Sequence, residues 1–147
     1  MMKDLAAAIV TDLNGHEFSL AFTATRSWRP RFTLEEMNVL HVTVLARTLS
    51  PAPADRSETE KTAEIDVGIQ QRYDAETLEG QPEADWLDSL AALAEEVTEF
   101  CKPPYRPAAY LAAVTIEVAA SVAPNPEHLD ELRQYTGVVT LTMQVTE

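Results

Sequence analysis

The chain has 147 residues, of which 46% are hydrophobic and 24% charged, and this length and composition are typical of one globular domain over residues 1–147. The net charge of −13 argues against a function in which the protein grips nucleic acid, because proteins of that kind neutralise phosphates with clustered Lys and Arg. The lone Cys101 excludes an internal disulfide, and no apolar run approaches the roughly 18 residues that a membrane span needs.

The first half of the chain predicts one helix and three strands. Apolar residues at i, i+4 and i+8 in residues 3–13 predict a short amphipathic helix. Alternating apolar residues predict strands at 19–28, 39–47 and 61–74. The last two strands are joined by SPAPADRSETEK, which is rich in Pro, Ser and charge and has no periodicity. We interpret it as an arm-like hairpin loop over about residues 49–61.

The second half predicts one long helix and two further strands. Residues 75–82 resemble a loop, and apolar residues at spacings of 4, 3, 4 and 3 predict a helix over 83–100, with Trp86, Leu90, Leu93, Val97 and Phe100 in its apolar stripe. Strands are predicted at 111–122, with Val114, Ile116 and Val118 facing the core, and at 135–145. We therefore predict an α+β fold: a single antiparallel or mixed sheet of about five strands, with helices packed on one face.

Candidate chemistry is sparse in this sequence. His16, His41 and His128 lack the spacing of metal ligands. Cys101 falls on the apolar stripe of the long helix, which favours a buried structural thiol over a nucleophile. No Gly-rich phosphate loop is present. We therefore expect no catalytic site, no metal, no cofactor and no enzymatic activity.

One short basic segment departs from the acidic background. TRSWRPRF, residues 25–32, contains Arg26, Trp28, Arg29 and Arg31 and no acid. Arg and Trp are enriched at the hot spots of protein interfaces. On so acidic a protein, this segment is suited to dock an acidic surface, including one on another copy. The alternative is a cationic loop with Trp28 half covered by the sheet.

Three blocks of the sequence resemble a known group of proteins. They are FTLEEMNVLHVTVLAR (32–47), AEIDVGIQQRYD (63–74) with WLDSLAALAEEVTEF (86–100), and PEHLDELRQYTGVVTLTMQV (126–145). They resemble small proteins encoded among the head-to-tail joining genes of long-tailed bacteriophages and prophages. The predicted order of elements is similar to that of the tail terminator family, whose members form a hexameric ring above the tail tube and beneath the neck.

This resemblance implies a structural virion protein rather than an enzyme. Its expected partners are copies of itself in a ring, the adjacent neck protein and the tail tube protein, with DNA passing nearby without being gripped. The expected location is the neck or tail of the virion, after assembly in the host cytoplasm. Two alternatives stay open: another neck, head–tail joining or minor tail protein, and a small α+β ligand-binding or enzyme domain.

The resemblance also implies a place in the ring for two groups of residues. Alternation puts Glu64 and Asp66 on the strand face opposite the core, where they would line the channel and keep DNA from sticking, or simply contact water. The arm and the basic segment would form the contact between subunits, through Asp55, Arg56 and Glu58 together with Arg26, Trp28, Arg29 and Arg31.

Overall fold

The computed structural model describes residues 2–27, 39–51, 60–121 and 133–146. The described elements, in chain order, are α1 (Met2–Asn14), β1 (Ala24–Arg26), β2 (His41–Pro51), β3 (Glu60–Arg72), α2 (Ala75–Leu78), α3 (Glu83–Cys101), β4 (Ala113–Ser121) and β5 (Gln134–Thr146). None of the described helices is long and apolar enough to cross a membrane.

The five strands form one mixed sheet in the order β1-β2-β3-β5-β4. β1 runs parallel to β2, and every other neighbouring pair is antiparallel. α1 packs against β1 and β2, and α3 packs against β4 and β5. We call the sheet face that points away from these helices the outer face. The predicted α+β fold with a single sheet is confirmed.

The core lies between the two helices and one face of the sheet. Strand alternation buries every second residue of β3 and β5, and the predicted stripe of α3 is buried from Trp86 to Val97. Phe100, the last residue of that stripe, is only half-buried and packs against Phe18 and Tyr105. The predicted core is confirmed in its strand residues Val42, Val44, Ile65, Val67, Val139 and Leu141 and in its helix residues Leu90, Leu93 and Val97.

A glycine in β5 makes room for the largest fully buried side chain, Tyr135. A Cβ atom at Gly137 would lie 2.8 Å from the Tyr135 hydroxyl oxygen, closer than such atoms pack. Burial, followed by the charge of Glu95, raises the pKa of Tyr135 to about 12. The missing side chain at Gly137 therefore lets the aromatic ring lie along the strand.

The strand predicted over 19–28 is much shorter than expected, because only Ala24–Arg26 pairs with β2. Upstream, the backbone N–H of Ser19 donates to a carboxylate oxygen of Glu96 on α3, at 2.9 Å. The segment is thus held by a helix side chain instead of a neighbouring strand, while Phe18, Leu20 and Phe22 pack against the core.

The predicted inward face of β4 is wrong in its first half. Ala113 and Thr115 face the core, and a register shift follows between Thr115 and Glu117. Ile116 occupies this β-bulge with 51% of its surface exposed. Val118 then returns to the core side, where it is half-buried. Simple alternation fails here because the bulge inserts one residue.

The loop predicted over 75–82 contains the short helix α2. Its start is capped by Asp74, whose carboxylate accepts a hydrogen bond from the Thr77 N–H at 2.9 Å. The chain then turns at Glu79 and Gly80, both with positive φ. The sequence also predicts two short helical turns, from the capping box of residues 33–36 and from the Pro-led segment 126–132. Both turns, and the central part of the predicted arm, lie outside the described residues.

Candidate functional site: the outer face of the sheet

The outer face of the sheet is built from small polar side chains. On β5, strand alternation leaves these residues half-buried on that face, and their side chains are amides, hydroxyls and one valine. They are Gln134, Thr136, Val138, Thr140, Thr142 and Gln144. A face of this kind offers many hydrogen-bonding groups and little relief, which suits contact with another surface better than capture of a small molecule.

The two acids predicted to lie opposite the core, Glu64 and Asp66, are on the outer face and share one guanidinium. Arg47 Nη2 lies 2.9 Å from Glu64 Oε2, and Arg47 Nε lies 3.2 Å from Asp66 Oδ2. The Thr140 hydroxyl donates to Asp66 Oδ1 at 2.8 Å. The Asp66 side chain is only 18% exposed, whereas that of Glu64 is 40% exposed. Asp66 is therefore anchored, and Glu64 is closer to solvent.

A β-bulge positions Arg47 for this contact. The pairing of β2 with β3 shifts between Ala46 and Thr48, so Arg47 is the extra residue. The result is a cluster with two negative charges and one positive charge. Arg47 thus offsets part of the negative charge that Glu64 and Asp66 bring to the outer face. The role of these two acids as a channel lining stays a prediction.

The acidic surface of the described chain lies mainly on the other side of the molecule. The exposed face of α3 carries acids at spacings typical of one helix face. They are Asp85, Asp88, Glu95 and Glu99. Near its end, Lys102 forms an ion pair with Glu99. The helix layer, rather than the sheet, therefore carries much of the negative charge.

A small depression of about 110 Å³ lies on the outer face beside the acidic cluster. Its lining is Thr43, Leu45, Asp66, Gly68, Gln70 and Val138. Gly68 pairs in regular register with Thr43. A Cβ atom at Gly68 would meet nothing closer than 3.9 Å among its nearest neighbours. The glycine thus deepens the surface without being sterically required.

Only one residue of the predicted basic interface falls in the described chain. Arg26 ends β1 and is exposed. Trp28, Arg29 and Arg31 of the basic segment, and Asp55, Arg56 and Glu58 of the arm, lie outside the described residues. The strands that flank the arm pair as far as Pro51 and Lys61, which makes the arm the connection of a long hairpin.

The histidines do not assemble into a site within the described ranges. His16 packs between Phe18 and Phe100, with ring centroids 4.6 and 4.8 Å apart. His41 begins β2, and His128 lies outside the described residues. No group of three His, Cys, Asp or Glu side chains in the described part of the chain is placed to hold a metal ion.

A surface cavity of about 450 Å³ beside the end of α1 contains both a serine and a histidine. It is lined by Leu13 and residues 16–22. The Ser19 hydroxyl, however, donates to Glu96 of α3 rather than to His16. A serine is activated for nucleophilic attack by a base within hydrogen-bond reach, and here Ser19 instead joins the loop to the helix.

Cys101 and Asp12 are structural groups at the junction of α1, α3 and the loop that follows. Cys101 is fully buried, and burial, followed by the charge of Asp12, raises the pKa of its thiol to about 12. Asp12 Oδ2 accepts hydrogen bonds from the Tyr105 hydroxyl at 2.6 Å and from the Ala108 N–H at 3.1 Å. Burial and this hydrogen bond raise the pKa of Tyr105 far above its usual range.

We expect Cys101 to make stability depend on pH in the alkaline range. The folded state holds the thiol proton more tightly than the unfolded state, whose thiol has a pKa of about 8.5. The contribution of Cys101 is therefore complete below that pH and is lost as the pH rises towards the folded pKa of about 12. Urea unfolding between about pH 8 and 9.5 should show a falling free energy of unfolding. The Cys101→Ala variant should show a flatter dependence, and an equal slope in both proteins would contradict the assignment.

Two threonine-to-valine substitutions should have opposite effects on stability. Thr115 Oγ1 is buried without a hydrogen-bond partner, so Thr115→Val should raise the free energy of unfolding by about 1–3 kcal/mol. Thr140 donates to Asp66, so the same change there should lower the free energy of unfolding by about 1–2 kcal/mol. Urea titration of both variants checks this, and two shifts of the same sign would contradict the hydrogen-bond assignments.

A search with protein-family models finds no match to this chain, and a search of curated proteins finds none either. Any statement about function therefore depends on the residues and the fold described above.

Proposed function

We propose that this protein is a structural virion protein of a tailed phage, acting as a ring-forming tail terminator at the head–tail junction. The observation that carries the proposal is the order of elements: a helix, three strands, a long helix and two strands in one sheet. This is the order on which the resemblance to tail terminators depends. The ring would consist of copies of this chain, expected to number six.

The distribution of charge is compatible with a conduit through which DNA slides. A net charge of −13 gives little attraction for phosphates. On the outer face Arg47 is held by Glu64 and Asp66, and at the end of α3 Lys102 is held by Glu99. These two cations are engaged by carboxylates of their own chain, which opposes tight binding of a duplex.

The polar outer face and the hairpin supply the surfaces that an assembly protein needs. The described part of the outer face carries a depression of only about 110 Å³, and β2 and β3 extend together to the Pro51–Lys61 pair. In the proposed role, the subunit contacts its neighbours in the ring, the adjacent neck protein and the tail tube protein, within the virion and after assembly in the host cytoplasm. In the alternative role, as another head–tail joining or minor tail protein, the chain would bind a different set of these neighbours.

The role of the arm can be tested by deleting residues 52–59 and closing the hairpin with a short turn. Because the ladder of β2 and β3 ends at the Pro51–Lys61 pair, the deletion leaves the described sheet intact. Light scattering should give several times the mass of one chain for the full protein and a single-chain mass for the folded deletion variant. A folded variant that assembles at the wild-type concentration would remove the arm from the contact, and a full chain that stays monomeric would contradict the ring.

A further inference from the structure

The two edge strands of the sheet, β1 and β4, differ in whether side chains of the same molecule bind their outward backbone groups. At β1, the side-chain amide of Asn14 accepts a hydrogen bond from the Ala24 N–H at 2.7 Å and donates to the Ala24 carbonyl at 3.1 Å. These two bonds satisfy the outward backbone groups of Ala24 from within the same chain. β4, at the other end of the sheet order, has no described strand on its outer side.

The outer half of β4, residues 116–121, is exposed except at the half-buried Val118. Ile116, Glu117 and the stretch 119–121 are all exposed. Sheet edges in soluble proteins are commonly protected by Lys, Pro, bulges or very short strands. β4 has a bulge at Ile116 and one charged residue, Glu117, but Val118–Ser121 contains neither a charge nor a proline. The backbone of this half is therefore suited to pair with another strand.

Exposed apolar side chains gather at the same edge. Among the described residues, the large hydrophobic side chains classed as exposed are Val39, Leu111 and Ile116. Leu111 is 66% exposed immediately before β4, and Ile116 is 51% exposed within it. Val39, which is 59% exposed, precedes the end of β2 that β1 covers and lies away from the β4 edge. An exposed backbone edge flanked by apolar side chains combines the two elements of strand addition: main-chain bonds for affinity and side chains for specificity.

A complementary edge is present on β2 of the same molecule. β1 covers β2 only at residues 42–44, and no described strand covers β2 from Leu45 to Pro51 on that side. This stretch contains the bulge at Arg47 and ends at Pro51, so its regular part is residues 48–50. The exposed side chain of Arg26 lies on β1 beside this edge and is opposite in charge to Glu117. Pairing two unlike edges joins subunits head to tail, the type of contact that closes into rings.

We propose that the outer edge of β4, with Leu111 and Ile116, docks the β2 edge of a second copy of this chain, so that the sheet continues from one subunit to the next. This inference rests on the proposed self-assembly and specifies the two surfaces through which the subunits would bind. The main-chain bonds would run along the outer half of β4, and the two apolar side chains would lose their contact with water at the junction.

The test compares lysine substitutions of similar chemistry at different places. The double variant Leu111→Lys, Ile116→Lys introduces charge at the edge, and Val39→Lys does so at an equally exposed apolar residue elsewhere. Sedimentation velocity over a concentration series should show that the edge variant needs at least about tenfold more protein to assemble, a difference of about 1.4 kcal/mol. Val39→Lys should assemble within about twofold of wild type. Circular dichroism confirms that each variant is folded.

Hydrogen exchange gives a second readout that is specific to strand pairing. Assembly of the wild-type protein should slow the exchange of backbone amides in the outer half of β4. If the wild type assembles while the edge variant assembles equally well, or while the β4 amides stay unprotected, the edge contact is wrong and the ring proposal survives. A wild type that remains monomeric at every concentration contradicts both.

Discussion

Replacing Leu93 by alanine is expected to lower the free energy of unfolding by about 2–5 kcal/mol. Leu93 is fully buried in the middle of α3, in the same core as the fully buried β5 residues Val139 and Leu141. The shorter side chain loses both the burial of its removed atoms and the contacts that lined them, because a packed core relaxes only in part. Urea denaturation monitored by circular dichroism measures the loss.

An alanine at Val39 provides the control for that measurement. Val39 is 59% exposed, so its truncation should change the free energy of unfolding by less than about 0.5 kcal/mol. If Leu93→Ala behaved like Val39→Ala, α3 would have to present another face to the sheet, and the description of the core would be contradicted.

Replacing Asp12 by alanine is expected to cost about 2–4 kcal/mol, because its carboxylate is the acceptor for two separate parts of the loop after α3. The Tyr105 hydroxyl and the Ala108 N–H both donate to the same oxygen, Oδ2. Tyr105 also packs against Phe100, so the bond anchors an aromatic side chain at the end of the core. Thermal and urea unfolding measure the effect on stability.

A double-mutant cycle with Tyr105→Phe separates the two hydrogen bonds. In the phenylalanine background, Asp12→Ala should cost less by about 1–2 kcal/mol, since only the Ala108 bond is left to lose. Equal costs in both backgrounds would show that the Tyr105–Asp12 bond contributes nothing to stability.

Periodic patterns predict this fold well where the chain is regular. The 4-3-4 spacing from Trp86 to Val97 predicts the buried face of α3, and alternation predicts the buried faces of β3 and β5. These segments succeed because local periodicity and tertiary burial agree. β4 differs, since a bulge at Ile116 changes which residues face the core. The alternation of apolar and polar residues does not predict this bulge.

Long-range contacts explain the remaining differences in the fold. The strand predicted from residue 19 begins only at Ala24, because the Ser19 N–H is bound by Glu96 of α3, 77 positions along the chain. A propensity calculated from neighbouring residues does not contain that contact. α2, in contrast, has a local signal, since Asp74 precedes it and caps it.

The candidate site was predictable as a face but not as a cluster. Alternation places Glu64 and Asp66 opposite the core, and the same rule places Arg47 there. Their meeting depends on the register between β2 and β3 and on the bulge at Arg47. Because a long connection joins these strands, their register does not follow from turn chemistry. Thr140 joins the cluster from β5, which is more distant still.

Negative-stain electron microscopy of the purified full-length protein tests the central claim most directly. The proposed tail terminator predicts closed rings whose class averages show six-fold symmetry around an opening wide enough for duplex DNA. Loss of these rings in the Leu111→Lys, Ile116→Lys variant, but not in Val39→Lys, would place the contact at the β4 edge. Single-chain particles at every concentration of the wild-type protein would contradict the assembly on which the proposed function depends.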